Sequence, residues 1–185
     1  IQESSMENIT VFCASSDDID NIYYKEASII GQWIGNKYKR LIYGGATGGL
    51  MEAIAQSAKN NNAGITGVIT KRIIEMGRLS SLPDTLITTD TMGERKQKLT
   101  ELGDIFVILP GGIGTIDELF DVLTTRMLGY HDKPILFCNT GGFYNPLLRQ
   151  LEQFYKTGFA KETCFTFYEV AGNAEECCRI LETYC

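Results

Sequence analysis

The stretch "DIFVILPGGIGTIDE", residues 104–118, decides how the rest of the chain is read. Five apolar residues, Ile105 to Leu109, follow Asp104 without alternation, as in a strand covered on both faces. Pro110 and the glycine pair Gly111 and Gly112 stop that strand. From Thr115 the apolar spacing predicts a helix to Leu128. Asp117 and Glu118 in its first turns complement the positive end of the helix dipole. Glycines crowded ahead of a helix start leave free N–H groups that a phosphate can approach closely. Gly111, Gly112 and Gly114 open that approach, and Thr115 adds a hydroxyl. A tight turn without a ligand is the plainer alternative.

Working outward, strands and helices alternate. Thr10–Cys13 reads as a first strand, Ile22–Tyr38 as a helix, Leu41–Tyr43 as a second strand and Gly49–Asn60 as a helix. Ile65–Ile69 and Thr85–Thr88 are expected as strands, with Met92–Leu102 helical after them. Residues 71–83 show no clear period and read as a loop or a loosely ordered helix. Beyond the opening stretch come a strand at Pro134–Cys138 and a helix over Phe143–Lys156. A short strand at Thr166–Val170 and a closing helix at Ala174–Thr183 end the chain. This order predicts an α/β fold: a doubly wound, mostly parallel Rossmann-like sheet with helices on both faces. No linker or internal repeat divides it, so residues 6–185 are expected to form one domain. Met6 reads as a natural start, and residues 1–5 as an appended remnant with no part in the fold.

Ligands of such sheets sit at the carboxyl ends of the strands. There the sequence places Ser15 and Ser16, Gly44 and Gly45 with Gly48 and Gly49, and the 110–115 turn, so that Gly, Ser and Thr collect on one edge. The Walker pattern is absent. The dinucleotide fingerprint fails twice: Ala46 stands at the middle glycine, and Thr70 and Lys71 stand where an acid would hold a ribose. Arg95 and Lys96 open a helix at the same edge, either as a solvated basic pair or as cations for an anion or a carboxylate. Glu118 shares a helix face with Thr115, which suits a carboxylate acting on the sugar attached to a bound phosphate. Asp117 points elsewhere and reads as a partner of the dipole.

The bulk numbers exclude several classes. Of 185 residues, 44% are hydrophobic and 22% charged, and the formal net charge is −6. A nucleic-acid polymer would call for a basic surface. No apolar run is long enough to cross a bilayer, and no signal peptide is visible. The six cysteines form no C-x-x-C pair, and His131 is the one histidine. No metal site is therefore expected, and reduced cytoplasmic thiols are. His131, between Tyr130 and Asp132, reads as a loop residue.

"PGGIGTIDE" (110–118), "MGERK" (92–96) and "GGATGGLM" (44–51) together resemble the Lonely Guy (LOG) family, whose members often carry a lysine decarboxylase label. The likeness runs from Val11 to about Pro134, including "SS" at Ser15 and "LGYHDKP" from Leu128. The family commonly has a glycine where Ala46 stands. It often has a tryptophan where Thr125 stands, a departure that bears on packing near the base. The resemblance implies a cytokinin riboside 5′-monophosphate phosphoribohydrolase. Such an enzyme cleaves a nucleoside 5′-monophosphate to free base and ribose 5-phosphate, without a cofactor. It implies Arg95 and Glu118 as the catalytic pair, with Glu118 kept ionised by Arg95. It further implies that Lys96, Gly112, Ile113, Gly114, Thr115 and Thr124 line the substrate site. A homodimer is expected too, with contacts through the helices at 92–102 and 115–128.

Decarboxylation would instead need pyridoxal phosphate on a lysine with an acid for the ring nitrogen. Lys71 and Lys96 are candidates by position only. A carrier of a phosphorylated cofactor, such as a molybdenum cofactor carrier, is the non-enzymatic alternative. It keeps the glycine turn but gives Arg95 and Glu118 no joint task.

Overall fold

The computed structural model describes residues 6–185, so the remnant expected at residues 1–5 lies outside the described residues. Seven strands form one sheet: β1 (Asn8–Phe12), β2 (Arg40–Tyr43), β3 (Gly64–Thr70), β4 (Thr85–Thr89), β5 (Ile105–Ile108), β6 (Ile135–Cys138) and β7 (Glu169–Ala171). Their spatial order is β4-β3-β2-β1-β5-β6-β7. All six pairings are parallel, so the sheet is wholly parallel.

The helices are α1 (Asn21–Asn36), α2 (Gly49–Asn60), α3 (Lys71–Glu75), α4 (Met92–Leu102), α5 (Ile113–Met127), α6 (Asn145–Lys156) and α7 (Ala174–Glu182). They cover both faces, which is why central strands such as β5 and β6 are buried and apolar throughout. In β5, Ile105 and Val107 pack with α1, α2 and α7, while Phe106 and Ile108 pack with α4 and α5. At roughly 25 cal/mol per Å² of apolar surface, this double burial is the main term holding the layers together.

Two segments are resolved further by the structure. Residues 71–83 hold the short α3, capped by Thr70 Oγ1 accepting from Ile73 N–H, followed by a strip in which Leu79 bridges Ala46. Of the strand expected at 166–170, Thr166 and Phe167 belong to a 3-10 turn over Glu162–Phe167, and the strand itself is shifted to Glu169–Ala171, which pairs with β6.

The chain winds outward from β1 to β4, then returns to place β5 on the other side of β1. The β1–β5 pair is therefore the topological switch point, where a crevice opens beyond the strand ends.

Candidate active site

A cleft of about 330 Å³ lies at that switch point, within the roughly 300–1,000 Å³ usual for small-molecule sites. Gly112, Ile113, Gly114 and Thr115 form one wall, and Cys13 to Ser16 after β1 form the adjoining one. Ala14 N–H donates to Pro110 O at 3.1 Å, which ties the two loops together. The Tyr144 hydroxyl donates to Leu109 O and pins the end of β5 that launches the glycine turn.

The two glycine loops differ in what they leave free. In the first, Gly49 N–H donates to Asp17 Oδ1 at 2.7 Å, Leu50 and Met51 N–H to Ala14 O, and Thr47 N–H to Arg78 O. Its donors are used by the protein itself. In the second, Gly112 caps α5 without a side-chain bond, and no acceptor meets the amides of Ile113, Gly114 and Thr115 among the described residues. Unmet first-turn amides with the dipole behind them form an anion site. Gly111 serves this turn indirectly: a Cβ there would lie 2.1 Å from Thr115 Oγ1.

Arg95 and Glu118 form the floor. A capping box fixes the start of α4, with Thr91 Oγ1 accepting from Glu94 N–H and Glu94 Oε2 accepting from Thr91 N–H. Successive residues then diverge by about 100°. Glu94 caps, Arg95 turns into the cleft, and Lys96 reaches sideways to α5. Arg95 Nη1 donates to Glu118 Oε1 at 2.8 Å, Nε to Val68 O at 2.9 Å and Nη2 to Gly44 O at 3.2 Å. Only 3% of Arg95 and 5% of Glu118 is exposed. A buried pair of this kind is held by geometry rather than by net charge attraction, because desolvation offsets much of the gain.

At Glu118 burial and Arg95 act in opposite directions. Burial pushes the Glu118 carboxyl above its usual value, and Arg95 pulls it back only in part. Burial also pushes the Cys13 thiol far up, so it stays protonated and is no nucleophile.

The remaining expected residues divide. Ser15 lines the cleft. Gly44 and Gly45 do not, yet both shape it: Gly44 O holds Arg95, and a Cβ on Gly44 would lie 2.2 Å from Arg95 Nη2. Gly45 O accepts from Ser80 N–H at 3.0 Å, which fastens the strip after α3. Lys96 lies outside the cleft, with its Nζ 2.9 Å from Asp117 and 3.6 Å from Asp121. Thr124 is exposed far along α5, outside the cleft. Thr125 is outside it as well: its hydroxyl donates to Asp121 O and lies 3.2 Å from His131 Nε2. The half-buried His131 packs in a groove between α4 and α5, with Nε2 3.0 Å from Val122 O and burial pulling its pKa down.

Sequence reasoning missed the outer wall. Ile73, Met76 and Arg78 come from the aperiodic segment, joined by Met51 and Met92. Among the described residues no lysine lines the cleft. Lys71 and Lys96 are bound to Asp90 and Asp117, whose bonds push both ammonium groups up. A Schiff-base lysine needs the opposite shift, so these residues do not fit pyridoxal phosphate. Among the described residues no group of three or more His, Cys, Asp or Glu is placed to hold a metal, and no helix is long and apolar enough to cross a membrane.

Residues 51–181 match the model of a family described as "Possible lysine decarboxylase". Over 178 residues the chain is 36% identical to a probable cytokinin riboside 5′-monophosphate phosphoribohydrolase of Oryza sativa subsp. japonica, covering 95% of this chain and 79% of that one. It is 34% identical to a protein named for the same activity in Arabidopsis thaliana, covering 98% and 85% of the two chains. This chain belongs to the Lonely Guy (LOG) family. The family extends to bacteria: a Mycobacterium tuberculosis protein of the same name is 34% identical, covering 92% of this chain and 91% of that one. Among solved structures, the molybdenum cofactor binding protein of Rippkaea orientalis shares the fold, with a TM-score of 0.74 at 20% identity over 97% of this chain and 98% of that one. The molybdenum cofactor carrier protein of Chlamydomonas reinhardtii gives 0.73 at 19%, covering 97% and 98%.

Proposed function

We propose that this LOG-family chain hydrolyses the N-glycosidic bond of a nucleoside 5′-monophosphate. The observation that carries the reading is the buried Arg95–Glu118 pair on the floor of a cleft whose rim is a turn of unmet amides. The phosphate docks on the amides of Ile113 to Thr115. Glu118, one turn further along α5, then faces the ribose. As the bond to the base lengthens, positive charge builds on the sugar. A carboxylate held by Arg95 stabilises that charge and receives a proton from the attacking water. The water oxygen joins the anomeric carbon as the bond to the base breaks; the base takes a proton on its nitrogen from solvent, and Glu118 returns the water's proton to solvent. Anchoring the phosphate aligns the sugar and so lowers the entropic part of the barrier.

The relatives' names point to a cytokinin base. The wall of Met51, Ile73, Met76 and Met92 gives an apolar substituent on the base a surface to pack against. We also propose a homodimer, on the strength of exposed Ile113, Leu128 and Tyr130 on α5 and just beyond it; sedimentation would then report twice 20.6 kDa. Incubation with AMP and isopentenyl-AMP, followed by chromatography, tests the activity. Release of free base supports the reading. Tight binding without any release would turn it toward a carrier of a phosphorylated ligand.

A further inference from the structure

The cleft holds two guanidinium groups, and only one of them is spent. Arg95 gives all three of its nitrogens to Glu118, Val68 O and Gly44 O. Arg78 has one bond, from Nη2 to Ser15 O at 3.1 Å, and forms no ion pair among the described residues. It lines the cleft half-buried. Its position is fixed by backbone: Thr47 N–H donates to Arg78 O at 2.8 Å, Ser80 N–H donates to Gly45 O at 3.0 Å, and Leu79 bridges Ala46. Ser15, which it touches, follows Ala14, and Ala14 bonds Pro110 just ahead of the glycine turn.

We propose that Arg78 is a substrate-binding residue that clamps the 5′-phosphate from across the cleft, opposite the amides of Ile113 to Thr115. Charge leads to this assignment. A phosphate monoester brings about −1.5 to −2 charges at neutral pH. The turn offers dipoles but no cation, and Arg95 is already neutralised. In a chain of net charge −6, a guanidinium that lines the same cleft and forms no ion pair among the described residues supplies the missing charge. Arginine suits the task because its fork meets two phosphate oxygens at once. Arg78 would thereby favour phosphorylated nucleosides over free ones. The assignment rests on the proposed docking of a phosphate at the glycine turn, but not on hydrolysis.

Calorimetry of AMP and of ribose 5-phosphate against wild type, Arg78→Gln and Arg78→Lys tests it. The Gln variant is expected to weaken both probes by a similar factor, roughly ten- to a hundredfold. The Lys variant, which keeps the charge and the fold, should lose less than the Gln variant. AMP affinity within about twofold of wild type in Arg78→Gln would overturn the proposal. Weakened AMP with unchanged ribose 5-phosphate would overturn it too, since Arg78 would then read the base. If wild type binds AMP through Arg78 yet releases no base, hydrolysis fails while the phosphate clamp stands.

Discussion

Replacing Arg95 by Met removes the cation that forms an ion pair with Glu118, a carboxylate only 5% exposed. Breaking a buried pair from one side costs about 3–5 kcal/mol, because the remaining charge is left uncompensated. In a domain of this size that corresponds to about 6–20 °C in Tm. The cost should depend on pH, and its sign follows from Glu118. Burial already raises that carboxyl above 4.5, and loss of Arg95 raises it further. A raised carboxyl contributes stability below its unfolded value and loses that stability as pH rises through the folded one. Urea unfolding followed by circular dichroism should therefore show a larger deficit for Arg95→Met at pH 8 than at pH 5. The double variant Arg95→Met with Glu118→Leu leaves no buried charge, so it should recover part of the loss and lose the pH dependence. An equal deficit at both pH values, or a double variant weaker than the single one, would refute the reasoning.

Other expectations follow from the same geometry. Gly111→Ala should lower both Tm and nucleotide affinity, because the new Cβ would lie 2.1 Å from Thr115 Oγ1; Gly114→Ala, with nothing within 4 Å, should leave Tm unchanged and weaken nucleotide binding alone. Calorimetry with thermal melts separates the two. Lys96→Met should cost at most about 1 kcal/mol in urea unfolding, as for a partly exposed pair, and leave KM unchanged, since Lys96 serves Asp117 outside the cleft. Burial lowers the His131 pKa from the usual 6.5; stability should fall as pH drops below that usual value, and His131→Gln should flatten the fall measured by urea midpoints.

Much of this was legible because burial writes itself into composition. Runs such as Ile105–Leu109 are apolar at every position, since helices cover both faces of the sheet. The glycine turn was legible for the same kind of reason: an open approach to amides needs residues without side chains. The strip at 71–83 was not. Its Ile73, Met76 and Arg78 face a cleft rather than a core, so no period appears, and Arg78 is held by a backbone bond from Thr47 rather than by a pattern. Lys96 shows the converse limit. The resemblance implied a place for it in the substrate site, but the helical turn after Arg95 directs its Nζ to Asp117 on α5. Glu118 was found by spacing, whereas the effect of burial on its titration required the fold.

The central claim is that Glu118 acts on the sugar of a nucleotide whose phosphate rests on the glycine turn. The most direct measurement compares Glu118→Gln with wild type for AMP affinity by calorimetry and for base release by chromatography. The account predicts affinity within a few-fold and release slowed by roughly 10²–10⁴-fold. Base release near the wild-type rate would contradict it.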